Sequence, residues 1–112
     1  MSKAKQAIRQ HFNDVCLKRD RHRCVMCGAK NNPASSKTED HLDVHHITDR
    51  HDLPNGGYVL ENGISLCYRC HEKAEEFHST GLACPGFAPG DLYARIGSTY
   101  EMALAASQRM KN

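Results

Sequence analysis

At 112 residues, with a net charge of +2 at neutral pH and 25% charged residues, the chain has length for one small domain with a modest core. Lys3, Lys5 and Arg9 interrupt the N-terminal stretch, and no apolar run suits a membrane span or a secretory signal, so the expectation is a cytoplasmic protein with no membrane partner. Four Tyr, three Phe and no Trp are too few for a broad aromatic platform on single-stranded nucleic acid.

Residues 3–20 read as a helix, because Ala4, Ala7, Ile8, Phe12, Val15 and Cys16 recur at spacings of three and four. Positive charge is uneven along the chain. Residues 1–50 hold ten Lys/Arg against six Asp/Glu, and residues 51–112 hold five against seven. The block Lys18-Arg19-Asp20-Arg21-His22-Arg23 is the densest part, a solvated face or a phosphate contact.

Cys24-Val25-Met26-Cys27-Gly28 has the spacing of a zinc knuckle, and Cys67-Tyr68-Arg69-Cys70 repeats it after residues 28–66. Two residues between thiols allow both to aim at one tetrahedral ion, so Cys24, Cys27, Cys67 and Cys70 are the expected ligands of a structural Zn²⁺. A disulfide framework and unrelated reduced thiols are the alternatives. Cys16 and Cys84 lack such spacing and read as small buried hydrophobes. Ala29–Asp40, with Asn31-Asn32-Pro33, reads as a polar surface loop.

His41–Ile47 alternates as a strand, with Leu42, Val44 and His46 on one side and His41, Asp43, His45 and Ile47 on the other. That pattern separates His45 from His46, so one site using both calls for a bend or bulge, or for the strand to end near the pair with the following loop turning back. Leu53-Pro54-Asn55-Gly56-Gly57 signals a turn, Tyr58-Val59-Leu60 a short second strand, and Asn62-Gly63 another turn. A helix is expected from about Arg69, placing His71 and Glu75 on one face. Thr80–Gly90 reads as a loop and Asp91–Ile96 as a short helical turn. Ser98 with Glu101 has the capping-box pattern that starts a helix to about 110, with Met102, Leu104, Ala105, Ala106 and Met110 packing inward. The whole is a single domain, residues 1–112, of α+β class.

The two Cys pairs, the central His45-His46, Asn62 and the closing Cys70-His71 together resemble the HNH endonucleases of the ββα-metal, or His-Me finger, group. The resemblance spans about residues 24–78 and implies a ββα-metal core stabilised by a four-cysteine zinc site, with flanking N- and C-terminal helices. It implies His46 as general base, His45 and His71 as ligands of a catalytic divalent metal, and Asn62 as the brace that helps orient the base. Glu75, one turn beyond His71, is a further implied ligand, and Asp43 an acceptor behind the site. Mg²⁺, Mn²⁺, Zn²⁺ or another transition ion suits two imidazoles and a carboxylate. The implied reaction is hydrolysis of DNA phosphodiesters, nicking double-stranded DNA and leaving 5′-phosphate and 3′-hydroxyl ends.

Each residue also has a plainer reading. His46 and His45 can be structural strand residues, Asn62 a turn residue, His71 an aid to the zinc beside Cys70, and Glu75 and Asp43 solvated acids. His11, His22, His51 and His78 read as surface or packing residues, with His22 and Arg69 as candidate phosphate contacts. The rival function is a catalytically inactive, zinc-stabilised module that binds nucleic acid, or an accessory protein of a phage packaging or restriction system. One unit holds one active site, so double-strand cleavage calls for a homodimer, a partner protein or two encounters.

Overall fold

The computed structural model describes residues 2–32 and 34–110; Pro33, in the predicted polar loop, lies outside the described residues. The first helix, α1, spans Lys3–Arg19 and starts where the Ser2 hydroxyl accepts the Lys5 amide at 3.2 Å. Its predicted apolar stripe is used only toward its C-terminal end. Phe12 and Cys16 are buried, whereas Ala4 and Ala7 are exposed. The chain leaves α1 through Arg21 and His22, both in the left-handed region at φ 58° and 55°.

A two-stranded antiparallel sheet follows. β1 is Asp43–His46 and β2 is Gly63–Leu66, in register from Asp43 opposite Leu66 to His46 opposite Gly63. This corrects the expectation of a second strand at Tyr58–Leu60 and a turn at Asn62-Gly63. Leu60–Asn62 is a 3₁₀ turn leading into the strand. β2 is buried at all four positions, so it reads as a continuous run rather than an alternation, which hides its period. Gly63 is required by proximity: a Cβ there would lie 2.5 Å from Cys16 Sγ and 2.8 Å from the Phe12 ring. The strand therefore begins where α1 presses directly on its backbone.

α2 spans Tyr68–Thr80, starts on Cys67 and ends at Gly81 in the left-handed conformation, φ 78°. α1 and α2 both pack on the hairpin, and Ile47, Ile64, Leu66 and Ala74 are buried between the layers. α3, Pro89–Arg95, is slightly longer than the predicted turn and buries Leu92 and Tyr93. α4, Tyr100–Arg109, is capped by Thr99, whose Oγ1 accepts the Met102 amide at 3.0 Å. Ser98 is not the cap, since its hydroxyl donates to the Glu61 carbonyl at 2.9 Å. The inward face of α4 is Ala103, Ala106 and Ser107, while Met102 is exposed. No helix among the described residues is long and apolar enough to cross a membrane. The fold is a small α+β unit: a hairpin, a helix behind it, flanking helices at both ends and a four-cysteine cluster.

Candidate metal centres and active-site cleft

The four paired cysteines meet. Their sulfurs lie within 4.8 Å of one another, and Cys27 and Cys67 are 3.6 Å apart. Four Zn–S bonds of about 2.3 Å give a tetrahedron with edges of about 3.8 Å, and a disulfide needs about 2.05 Å. The spacing fits a zinc site and excludes a bond between Cys27 and Cys67. Local structure builds each half. Around Cys24 the chain forms a tight loop, with the Cys24 amide donating to Ala29 O and the Gly28 amide to Cys24 O, both at 2.8 Å. Gly28 sits at φ 81°, a conformation that favours glycine. The second pair occupies the start of α2, and the Val25 amide ties the first loop to β2 through Ser65 O at 3.0 Å. Burial raises the Cys24 thiol pKa, but the backbone amides of Cys67, Cys27 and Met26 outweigh it and leave the group below its ordinary value. Cys16 is apart from this cluster, fully buried and pushed up to about 12 by burial, an inert thiol. Cys84 is only half-buried, contrary to its sequence reading.

The second cluster lies in a cleft along the free edge of β1, between α1 and α2. No bulge occurs at His45-His46: β1 stays in register through His46 and ends there, so the strand end rather than a bulge is the outcome. His45 points toward α2, where its ring lies 5.3 Å from that of His71 and 5.1 Å from that of His78. His46 points toward α1, stacked on Phe12 at 4.6 Å and edge-on to Tyr58 at 4.7 Å. Both nevertheless line the same cleft, because it wraps around the strand edge and reaches both faces. Opposite facing and shared access are compatible at an edge strand.

Glu75 is central on the α2 side. Its Oε1 is 3.1 Å from His45 Nδ1 and 3.3 Å from His71 Nε2. His71 Nδ1 is 3.3 Å from Asp43 Oδ2, so Asp43 stands behind His71 rather than behind His46. That pairing, with Asp43 first and Glu75 adding to it, raises the His71 pKa above its ordinary value. Burial, reinforced by the neighbouring His71, drives His45 down to about 3; burial and Arg50 drive His46 down to about 4. Both rings are therefore neutral at pH 7 and have lone pairs to offer. The Nε2 atoms of His45 and His46 are both buried without a hydrogen-bond partner, a costly state that a ligand or metal relieves.

His78 is the residue that the sequence reads as surface or packing and the structure places in the cleft. It forms a potential metal-binding group with His45 and Glu75, and its Nε2 is 2.9 Å from the His46 carbonyl. Its spacing carried the signal, since His71, Glu75 and His78 fall four and three residues apart on α2. Imidazole nitrogens with a carboxylate oxygen suit a divalent transition ion or Mg²⁺, so this group can hold a second metal ion, separate from the four cysteines.

Asn62 is fully buried and uses its whole amide. Oδ1 accepts the Thr48 amide at 2.9 Å and the Tyr93 hydroxyl at 2.8 Å. Nδ2 donates to Thr48 O at 3.0 Å and Gly57 O at 3.1 Å. It thus clamps the segment that leaves His46 to the start of β2. Tyr93, from α3, supports the clamp and was not foreseen.

The far end of the cleft is cationic. Arg9 Nε donates to Tyr58 Oη at 3.3 Å, and Arg50 lines the same cleft. Burial raises the Tyr58 phenol, but Arg50 and Arg9 outweigh it and leave its pKa below the ordinary value. The basic block near Cys24 is used otherwise. Arg19 pairs with Asp20 at 2.7 Å and donates to Leu60 O and Gly63 O at 2.7 and 2.6 Å, holding α1 to β2. Neither His22 nor Arg69 lines the cleft.

A hairpin and helix framed by four cysteines, with paired histidines at the end of the first strand, matches a known architecture. Residues 24–77 fit the family model of the HNH endonucleases. Residues 24–77 form an HNH endonuclease family domain. No curated protein and no solved structure matches the chain. The HNH segment contains both cysteine pairs, both members of the His pair, Asn62, His71 and Glu75. His78 and Tyr93 fall just beyond it, and α1 precedes it. Membership carries nucleic-acid binding as the general property of the family, and the His45, Glu75 and His78 cluster is consistent with nuclease chemistry.

Proposed function

We propose that this HNH domain is a metal-dependent DNA endonuclease that hydrolyses phosphodiester bonds, nicks double-stranded DNA, and leaves 5′-phosphate and 3′-hydroxyl ends. The observation that carries this reading is the neutral, unpartnered Nε2 of His46 in the same cleft as His45, His71 and Glu75. His46 is the general base. Its ring is held between Phe12 and Tyr58, and the buried lone pair can take a proton from an attacking water. His45 and His71 hold the catalytic ion, with Glu75 between them and Asp43 fixing the His71 ring. When bound, a divalent ion there supplies charge to offset the developing negative charge on the leaving 3′ oxygen. Asn62 keeps the chain after His46 in place through Thr48.

The bond set at Glu75 supports its ligand role. One carboxylate oxygen meets two imidazoles from different elements, and an exposed helix residue does not need that convergence. Mg²⁺, Mn²⁺ and Zn²⁺ all fit the donors. The four cysteines hold a structural Zn²⁺ that fixes α2 against the first knuckle and so sets the distance from His71 to His45.

The end chemistry gives a direct test. Plasmid nicked by the purified chain with Mg²⁺ or Mn²⁺ is treated with a DNA ligase that seals only 5′-phosphate against 3′-hydroxyl. Resealing without prior phosphatase or kinase treatment is expected. Nicks that reseal only after end repair contradict the proposed cleavage polarity, and binding of DNA with no nicks under any divalent ion favours an inactive binding module.

A further inference from the structure

α1 lies outside the family segment, and its Arg9 reaches the cleft. Arg9 is half-buried, and Nε is the only nitrogen of its guanidinium with a hydrogen bond among the described residues. Arg50, exposed in the turn after β1, lines the same cleft as Arg9 and Tyr58 and helps lower the Tyr58 phenol pKa. Neither arginine forms an ion pair among the described residues. The nearest cleft carboxylate on that side, Asp49, accepts the His51 amide at 3.0 Å, and Glu75 faces the imidazoles.

Arg19 shows what a structural arginine looks like in this chain. All three of its nitrogens are engaged, by Asp20, Leu60 O and Gly63 O. Arg9 and Arg50 instead converge on one neutral phenol and leave N–H groups open beside it. Two guanidiniums gathered with no ion pair among the described residues, offset only by the attraction of Asp49 for Arg50, repel each other, and a phosphate relieves that repulsion while matching their fork geometry. Tyr58 also sets where they stand, since its ring is edge-on to His46 at 4.7 Å and to Phe12 at 5.6 Å.

We propose that Arg9 and Arg50, gathered on the Tyr58 hydroxyl, form a clamp for a backbone phosphate of duplex DNA, so that α1 completes the substrate site of the HNH domain. The proposal rests on the nuclease reading of the cleft for its orientation. The cleft is then bipolar: guanidiniums at one end take phosphate oxygens, imidazoles and Glu75 hold the metal at the other, and His46 lies between. Phosphate held at the cationic end presents the adjoining ester to His46, which makes Arg9 and Arg50 substrate-positioning residues. The basic block at residues 18–23 plays no part in the clamp.

The test compares two double variants of equal charge change in the full-length, zinc-loaded chain carrying His46→Ala, so that the duplex stays intact. One has Arg9→Gln with Arg50→Gln; the other has Lys18→Gln with Arg21→Gln. Binding of a fluorescein-labelled duplex is followed by anisotropy across salt concentrations. The cleft pair is expected to weaken binding about tenfold and to lower the salt slope by about 1 to 2, while the outer pair weakens it less than about threefold. Equal weakening by both pairs, or unchanged binding in the cleft pair, overturns the clamp. Zinc content and thermal midpoint check folding; if the double variant loses zinc, Arg50→Gln alone is used, and unchanged affinity in it overturns the proposal. With His46 restored, the clamp also requires a raised KM in the cleft pair. A chain that binds through these arginines but never nicks keeps the clamp and loses the nuclease reading. A chain that nicks with an unaltered KM in the cleft pair does the reverse.

Discussion

At the scale of single residues, Asn62 and His46 divide support from chemistry. Asn62 satisfies four hydrogen bonds without contact to solvent. Asn62→Ala strands the Thr48 amide and takes a donor from the Thr48 and Gly57 carbonyls, while the Tyr93 hydroxyl keeps Thr48 Oγ1 at 2.6 Å; each unsatisfied buried group costs about 1–3 kcal/mol. Thermal or denaturant unfolding is expected to register a loss of about 2–4 kcal/mol, with activity falling because the chain after His46 is released. His46 carries a pH signature. Its folded pKa of about 4 lies below the ordinary 6.5, so the unfolded chain binds a proton that the folded chain refuses. Stability from this group is complete above about pH 6.5 and is lost as pH falls toward 4, at up to about 1.4 kcal/mol per pH unit. His71, whose pKa is raised, works in the opposite direction, so the comparison must isolate His46. The stability of the parent relative to His46→Gln is expected to decline over that window. A difference that is flat from pH 7 to 4 contradicts the burial argument.

At the scale of elements, what the sequence revealed depended on whether chemistry or packing set the pattern. The Cys pairs, His45-His46 and the His71-Glu75 spacing were legible because a metal demands short fixed intervals within one element. The N-terminal helix was legible from periodicity and the C-terminal one from its Ser98-to-Glu101 start, although its cap is Thr99 and its inward face is Ala103, Ala106 and Ser107. β2 was not, since a strand buried on both faces shows no alternation, and Asn62-Gly63 looks like a turn although Asn62 is a buried clamp and Gly63 a contact point. Arg9, Tyr58 and Tyr93 join the site only through packing of residues far apart in the chain, and charge density pointed instead to residues 18–23. The contact of α1 with β2 can be tested at Gly63. Gly63→Ala places a methyl against Cys16 and Phe12, and such overpacking costs about 1–3 kcal/mol. Cys16→Ala in the same chain removes one of the two clashes and is expected to recover part of the loss in a double-mutant cycle of unfolding free energies. Strict additivity means that α1 does not press on the strand there.

At the scale of the molecule, a small core is held by two kinds of constraint, apolar packing under the hairpin and the four-cysteine cluster. The cluster links the loop after α1 to the start of α2, elements that β2 alone joins weakly. Zinc binding is therefore coupled to folding. Chelation, or Cys27→Ser, is expected to lower the thermal midpoint by more than about 10 °C, whereas Cys84→Ser leaves both zinc content and midpoint close to the parent. Metal analysis and scanning calorimetry on the three chains check this. The same frame explains why the catalytic ion need not be structural. The side chains that could hold it, His45, Glu75 and His78 with His71 beside them, sit on β1 and α2, elements already fixed by the hairpin register and by the zinc cluster.

The most direct measurement is conversion of supercoiled plasmid to the open-circular form by the zinc-loaded chain and by its His46→Ala variant, with Mg²⁺ or Mn²⁺ added in parallel. Ion-dependent nicking by the parent is expected, with a loss of at least about a hundredfold in the variant and equal zinc content and folding in both. Equal nicking by the two chains would show that His46 is not the base.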